Sequence, residues 1–371
     1  MPLVQPKLIF FDSAHWAQWL DSALSNDQQR RQEARDFYDA LLQNGSVPVL
    51  SWHHIEELIG IEDGSNAKDR IAYIQHLPFV SWMRLPHERD GIAGVTDLLA
   101  AELTAFLDGF CDLGELRKKV RARIVRSGPG SGAIGSDVGI WPIMRNFIRS
   151  DKERISSITA LQEFGPFAND NLTFGEICNH GRKPPGEMIK ALASIGAIAK
   201  SELMRAGDLD EAAANRYRDE FVLRVFNELP QGSDTRTVLT NLLINYGLDP
   251  SDIRDERKLS ELLELSRFKM QVRAVAEKTK YSLSDLLVVP QKCLPSQLVQ
   301  EALRRHGQKR PKRPASDLND RYLVSFAPYV DRIYVDRRTM EDVRRSRQKS
   351  DVYEALFVNV DQKRRYTDLI E

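Results

Sequence analysis

Cysteine is scarce: Cys111, Cys178 and Cys293 stand far apart in a chain of 371 residues. No pair has C-x-x-C spacing and no histidine cluster lies nearby, which excludes a zinc ribbon and a disulfide framework and fits a reducing compartment. Net charge is lacking too, with 53 Lys and Arg against 53 Asp and Glu. No global field collects nucleic acid or anionic membrane, so either would have to be held by local patches. Long apolar runs are also missing. The first, Leu8 to Phe11, ends at Asp12, and none approaches the roughly 18 residues of a membrane span or the apolar region of a signal peptide. The expectation is a soluble, cytoplasmic protein with no membrane partner. No internal repeat is found, which sets the solenoid classes aside.

What is present is a change of pattern along the chain. Near the amino end, the apolar runs Leu8 to Phe11, Val47 to Leu50 and Phe79 to Met83 alternate with helical patterns over Ala14 to Leu24 and Asp27 to Gln43 and a helix after Ser51. From Leu85 to Pro314 apolar residues recur at helical spacing, as in Val95 to Phe110, Ile143 to Leu161 and Leu259 to Lys278. Strand character then returns: a helix over Asp317 to Phe326, a strand at Ile333 to Val335, a basic helix from Arg337 to Lys349, and Leu356 to Val358 as a last strand. Parallel neighbours need a dozen or more residues to return, so this alternation predicts an α/β fold. The reading is a Rossmann-like parallel sheet formed by both chain ends, residues 1–85 and 311–371, interrupted by a mostly α-helical insertion at 86–310.

Ligands of such sheets bind at the carboxyl ends of the strands, and two strands here end in aspartate, at Asp12 and Asp336. Glu57 follows the second strand on its helix, and Asp317 and Asp320 open the helix before the Asp336 strand. The sequence therefore predicts four or more carboxylates converging on one edge. At about 4 Å and an effective dielectric near 20, each like-charge pair costs roughly 4 kcal/mol, so protons or cations must compensate. An oxygen-rich set of this kind suits Mg²⁺ or Mn²⁺.

At these residues the chain resembles the PIN-like nuclease superfamily. The matching pieces are Leu8 through Trp16, Pro48-Val49-Leu50-Ser51 through Glu57-Leu58, Ser316-Asp317-Leu318-Asn319-Asp320, and Pro328 through Asp336. The resemblance implies a PIN-like α/β nuclease domain in which Asp12, Glu57, Asp320 and Asp336 bind divalent metal for phosphodiester hydrolysis. Asp317 competes with Asp320 for the third position, and Glu56 with Glu57 for the second. Ser13 is the small hydroxyl residue that would hydrogen-bond a ligating carboxylate or water. The family's compact domain usually has no insertion of this size.

Each residue also has a plainer role. An aspartate at a strand end caps the following helix, as Asp317 would at Ser316-Asp317. Asp331 reads as a turn residue, and His15, His53 and His54 read as structural. Trp16 and Trp19 share a helix face and belong to a core. Gly130-Ser131-Gly132-Ala133-Ile134-Gly135 matches G-x-G-x-x-G, but a charged segment precedes it rather than a strand, so it reads as a flexible loop.

Cations gather in three runs: Arg117 to Arg126, Arg304 to Arg313 and Arg337 to Lys349. Arg304, Arg305, Arg310, Arg313, Arg337 and Arg338 flank the acids in sequence, where a polyanion would need neutralising. The expected function is a Mg²⁺- or Mn²⁺-dependent nuclease acting on RNA, with DNA as the other substrate. The insertion would select substrate or bind a protein partner, and by analogy alone the class includes toxins and defence nucleases. The alternative is a catalytically idle adaptor of the same fold that assembles with protein through its insertion.

Overall fold

Six short strands, most of them apolar, form one sheet in the computed structural model, which describes residues 5–84, 91–162, 172–180, 196–205, 209–228, 235–308 and 315–370. The strands are β1 (Lys7–Phe11), β2 (Ser46–Leu50), β3 (Val80–Met83), β4 (Val125–Gly128), β5 (Arg332–Val335) and β6 (Val360–Gln362). Their order is β4-β3-β2-β1-β5-β6, and only the β3–β4 pair is antiparallel. From β1 the chain builds outward through β2 and β3, then returns to the other flank of β1 for β5 and β6. The direction of winding thus reverses between β1 and β5, and the carboxyl ends of the strands at such a reversal are where sheets of this kind take ligands.

Alternate residues of each strand face opposite layers. Ile9, Phe11, Leu50 and Tyr334 pack with α1 (Ser13–Ala23), α2 (Gln28–Gln43), α3 (Trp52–Ile59) and α4 (Gly64–Gln75). Leu8, Phe10, Val49, Ile333 and Val335 pack with α5 (Val95–Leu107), α6 (Leu113–Ile124) and the helices Pro295–His306, Ala315–Val324, Arg337–Arg347 and Asp351–Phe357. A parallel sheet needs apolar cover on both faces. That requirement moves the expected domain boundary, because α5, α6 and Pro295–His306 lie within 86–310 yet cover the sheet. The chain divides into one compact unit of Met1–Arg149, Val275–Lys309 and Asp317–Glu371 and a second of Ser150–Ala274 and Arg310–Ser316.

The last strand is also displaced from its expected place. Leu356 and Phe357 close the helix Asp351–Phe357, which Ser350 caps by accepting the Tyr353 N–H at 3.2 Å, and the strand is Val360–Gln362. With Asp361 and Gln362 in it, that strand carries no apolar run to announce it. Neither does β4, an edge strand that follows directly from α6.

At the amino edge, Asp331 is more than a turn residue. Its Oδ2 accepts the Leu8 N–H at 2.7 Å, and Arg121 donates to both carboxylate oxygens at 2.9 and 2.7 Å. Burial would raise the Asp331 carboxyl, but Arg121 and the Leu8 N–H outweigh it and hold the group below the usual range. Arg117 donates to the Pro328 carbonyl at 2.8 Å, and Arg123 reaches Thr104 and Asp108. Much of the first basic run is therefore internal bracing.

The G-x-G-x-x-G segment is a packed short helix, Gly130–Ile134, with Ala133 and Ile134 in the core. A Cβ at Gly130 would lie 1.8 Å from the Ile74 carbonyl oxygen, and one at Gly132 would lie 2.7 Å from the Trp82 ring. Gly130 and Gly132 serve close packing, and Gly135 takes a positive φ of 87° where the helix ends.

In the second unit, Phe174, Ile177, Leu243, Leu248, Leu259 and Leu262 form a small core, and a Thr173–Lys258 bridge joins two segments. Lys269 pairs with Asp249 and Asp252, both at 2.5 Å. Among the described residues, no helix is long and apolar enough to cross a membrane.

One buried acid ties the sheet unit together. Glu102 of α5 accepts from Ser296 N–H (2.8 Å), Ser296 Oγ (2.6 Å) and the Tyr329 hydroxyl, joining α5, the start of Pro295–His306 and the approach to β5. Burial raises its carboxyl to about 7 despite these donors. The folded state then binds the extra proton between the ordinary glutamate range and about 7, so this group's contribution to stability falls as pH rises through that window. Urea unfolding at pH 5 and pH 8 should show the decrease in wild type and lose roughly 3 kcal/mol of it in Glu102→Gln; an unchanged pH dependence would refute the assignment. Gly130→Ala should destabilise by about 2 kcal/mol or more, because backbone must move to admit the methyl. A neutral result in the same titration would contradict the packing described.

Candidate functional site

β1 is flanked by β2 and β5 in register, Phe10 opposite Val49 and Phe11 opposite Tyr334. The residues just beyond these strands therefore meet at one edge. Asp12 and Asp336 are both extended N-caps: Asp12 Oδ1 accepts the His15 N–H at 2.9 Å, and Asp336 Oδ1 accepts the Thr339 N–H at 2.7 Å. The capping role and the strand-end placement are the same feature, since a strand that turns into a helix needs an acceptor there.

Asp12 and Asp320 line one crevice, with Thr339 and the apolar side chains of Phe10, Leu323 and Val335. Those side chains leave no space for a water-sized sphere between them. Asp12 is buried, and its Oδ1 also lies 2.7 Å from His15 Nδ1. Oδ2 of Asp12 has no hydrogen-bond partner among the described residues. His15 Nε2 reaches the Lys363 carbonyl at 3.2 Å. Burial pulls the His15 imidazole toward neutrality, but Asp12 and then the Lys363 carbonyl outweigh it and raise its pKa above the ordinary value. A protonated ring suits a carboxylate on one side and a carbonyl on the other, both of them acceptors.

Glu57 and Glu56 part company. Glu57 Oε1 accepts from Asn319 Nδ2 at 3.2 Å, which puts it beside the helix that carries Asp320. Glu56 pairs with His53 Nδ1 at 2.9 Å, while His53 Nε2 accepts the Val95 N–H at 3.2 Å. Asn319 is the residue that sequence reasoning passed over. It is buried, and its place beside Asp320 in the quoted motif was the available signal.

The expected convergence of four carboxylates is not what the side chains form. Asp336 Oδ2 lies 3.3 Å from Arg338 Nε, so both its oxygens have partners. Among the described residues, no three of His, Cys, Asp and Glu come close enough to hold a metal ion. Three of the acids take separate partners: Asp12 has His15, Glu57 has Asn319, and Asp336 has Arg338 and a helix N–H. The Asp317 side chain lies outside the described residues, as do Arg310 and Arg313. Ser13 Oγ is buried with no hydrogen-bond partner among the described residues, so it does not support Asp12 directly. Of the predicted cations, Arg337 and Arg338 are exposed on the first helical turn after Asp336. Arg304 and Arg305 end the helix Pro295–His306, where Arg305 pairs with Glu301 at 2.9 Å.

Two of the three nearby histidines are structural, and His54 is decisive for the crevice. The Ser51 N–H donates to its Nδ1 at 3.0 Å, so the proton sits on Nε2, which donates to the Phe11 carbonyl at 2.6 Å. Full burial lowers its pKa to about 3 and keeps it neutral. His54 thus clamps the ends of β1 and β2 together one residue before Asp12. Trp16 and Trp19 are fully buried core. Removing the ring in His54→Ala leaves the Ser51 N–H and the Phe11 carbonyl unpaired, and should cost about 2–4 kcal/mol in urea unfolding. Loss of under about 0.5 kcal/mol, the range of ordinary surface changes, would show that the clamp is dispensable.

Comparison with protein-family models, with curated proteins and with solved structures finds no match to this chain in any of the three.

Proposed function

We propose that the crevice at the β1–β5 boundary is the centre of a PIN-like, metal-dependent phosphodiesterase acting on RNA, with DNA as the other substrate. One observation carries this reading: Asp12 and Asp320, more than three hundred residues apart, line the same crevice where the strand order reverses. Mg²⁺ is commonly held by one or two carboxylates, with water and substrate phosphate completing its shell. That chemistry suits two acids better than it suits a cage of four, and Mn²⁺ accepts the same oxygen donors. Asp12 and Asp320 would hold the ion, with Asp12 Oδ2 as the uncommitted oxygen. A bound divalent ion supplies Lewis-acid stabilisation of the phosphorane-like transition state and a more acidic water. Glu57 acts through Asn319, positioning the helix that carries Asp320. Asp336 holds the helix start and Arg338. In this reading the second, helical unit selects substrate or binds a protein partner.

The idle adaptor is kept as a second reading because His15 already offsets Asp12 and Arg338 already offsets Asp336. Two measurements separate them. With Mg²⁺ or Mn²⁺, wild type should cleave single-stranded RNA, and Asp12→Asn and Asp320→Asn should each lower the rate by about a hundredfold or more, as removal of an electrostatic group at a reaction centre does. Asp336→Asn, which keeps an acceptor for the helix cap, should lose less than about tenfold. Mn²⁺ at about 100 times its dissociation constant should stabilise wild type by roughly 2.7 kcal/mol in thermal unfolding, and Asp320→Asn should lose that gain. Neither cleavage nor stabilisation in wild type would leave the adaptor reading standing.

A further inference from the structure

The β5–β6 pairing sets Val335 opposite Gln362, so the acid that follows β5, Asp336, and the cations that follow β6, Lys363 and Arg364, continue from paired positions. The carboxyl edge is therefore graded in charge, with acids beyond β2, β1 and β5 and cations beyond β6. Basic-run reasoning passed over Lys363-Arg364-Arg365, because three residues near the end of a chain are too few to stand out. Resting on the phosphodiesterase reading, we infer that Lys363 and Arg364, with Arg337 beside them, form the track that holds the phosphodiester backbone of a single nucleic-acid strand as it leaves the crevice.

Three observations support this assignment. First, the Lys363 main chain is anchored at the crevice: its carbonyl meets His15 Nε2 at 3.2 Å, and His15 Nδ1 is 2.7 Å from Asp12. Second, Arg364 and Arg337 are exposed, Lys363 is half-buried, and none of the three has a carboxylate partner among the described residues. The neighbouring cations are committed: Arg365 to Glu33 at 3.0 Å, Arg332 to Asp361 at 3.8 Å, and Arg347 to the carbonyls of Phe357 and Val360. Third, Arg337 and Arg338 stand in the first turn of an α-helix, where the macrodipole disfavours cations. Asp336 compensates Arg338, whereas Arg337 is exposed with no carboxylate partner among the described residues. A single row of cations on one side of the acids suits one strand rather than the two backbones of a duplex.

The test uses the full chain and a short labelled single-stranded RNA, with chelator present so that binding is read without cleavage, by fluorescence anisotropy across a salt series. Lys363→Ala/Arg364→Ala retains the main-chain carbonyl that His15 uses, so the crevice is left intact. Its affinity should fall by about tenfold or more at low salt, and its log-log salt slope should shrink by about 1.4, two contacts at roughly 0.7 each. The charge-matched Lys118→Ala/Lys119→Ala pair on α6 should leave both unchanged. A labelled DNA strand should show the same loss, because the track reads phosphates; a loss confined to RNA would overturn it. Equal binding by wild type and the Lys363/Arg364 variant would also overturn the track, and if wild type still degrades the strand with Mn²⁺ the hydrolytic reading survives. Loss of binding in the variant, when wild type fails to cleave with either metal, supports the track and removes the hydrolytic reading. Wild type that binds neither strand overturns the track outright.

Discussion

The pairing of β1 with β5 joins segments more than three hundred residues apart, and the crevice exists only because that contact forms. Closing so long a loop costs chain entropy, although the cost grows only slowly with length. Two features at opposite edges of the sheet define the pairing. At the amino edge, Asp331 receives both the Leu8 N–H and the Arg121 guanidinium. At the carboxyl edge, Phe11 lies between Tyr334 on one side and the His54 clamp on the other. Between them run the four apolar residues Leu8 to Phe11 of β1, buried on both faces, for which no solvated alternative is comparably favourable.

The acids at the carboxyl edge illustrate how a fold handles like charges that topology gathers. They avoid one another by taking separate partners: a histidine for Asp12, an asparagine for Glu57, a helix N–H and an arginine for Asp336. Glu102 is the counterexample, a single buried acid kept in place by three donors and by an elevated pKa rather than by a cation. The contrast lies in the partners: Asp12 and Asp336 each have a basic side chain beside them, while Glu102 has hydrogen-bond donors alone and its full burial raises its pKa.

Arginine divides in a similar way. A run of cations reads as one patch in sequence, yet Arg117, Arg121 and Arg123 each grip a different partner, the Pro328 carbonyl, the Asp331 carboxylate and the Asp108 carboxylate. Lys363 and Arg364 form no conspicuous run and lie beside the acids. Local density of charge thus says little about where charge is presented. Helix phase and strand register decide that.

The alternation of short apolar strands with helices, the parallel sense of the sheet, the union of the two chain ends and the aspartates closing β1 and β5 were all legible in the residues, because each depends on periodicity or on a neighbour in sequence. So was the choice of the helix at Ala315–Val324 as a contributor to the edge. The boundary of the helical segment was not, since α5 and Pro295–His306 have the same apolar spacing whether they cover a sheet or one another. Nor was β6, whose polar residues are held as strand by pairing with β5 alone. The separation of Glu56 from Glu57, the clamp at His54 and the contact of the Lys363 carbonyl with His15 likewise belong to the tertiary structure. Each is a hydrogen bond between residues distant in sequence or a choice between adjacent ones, and sequence pattern carries no information about either until the strands have taken their register.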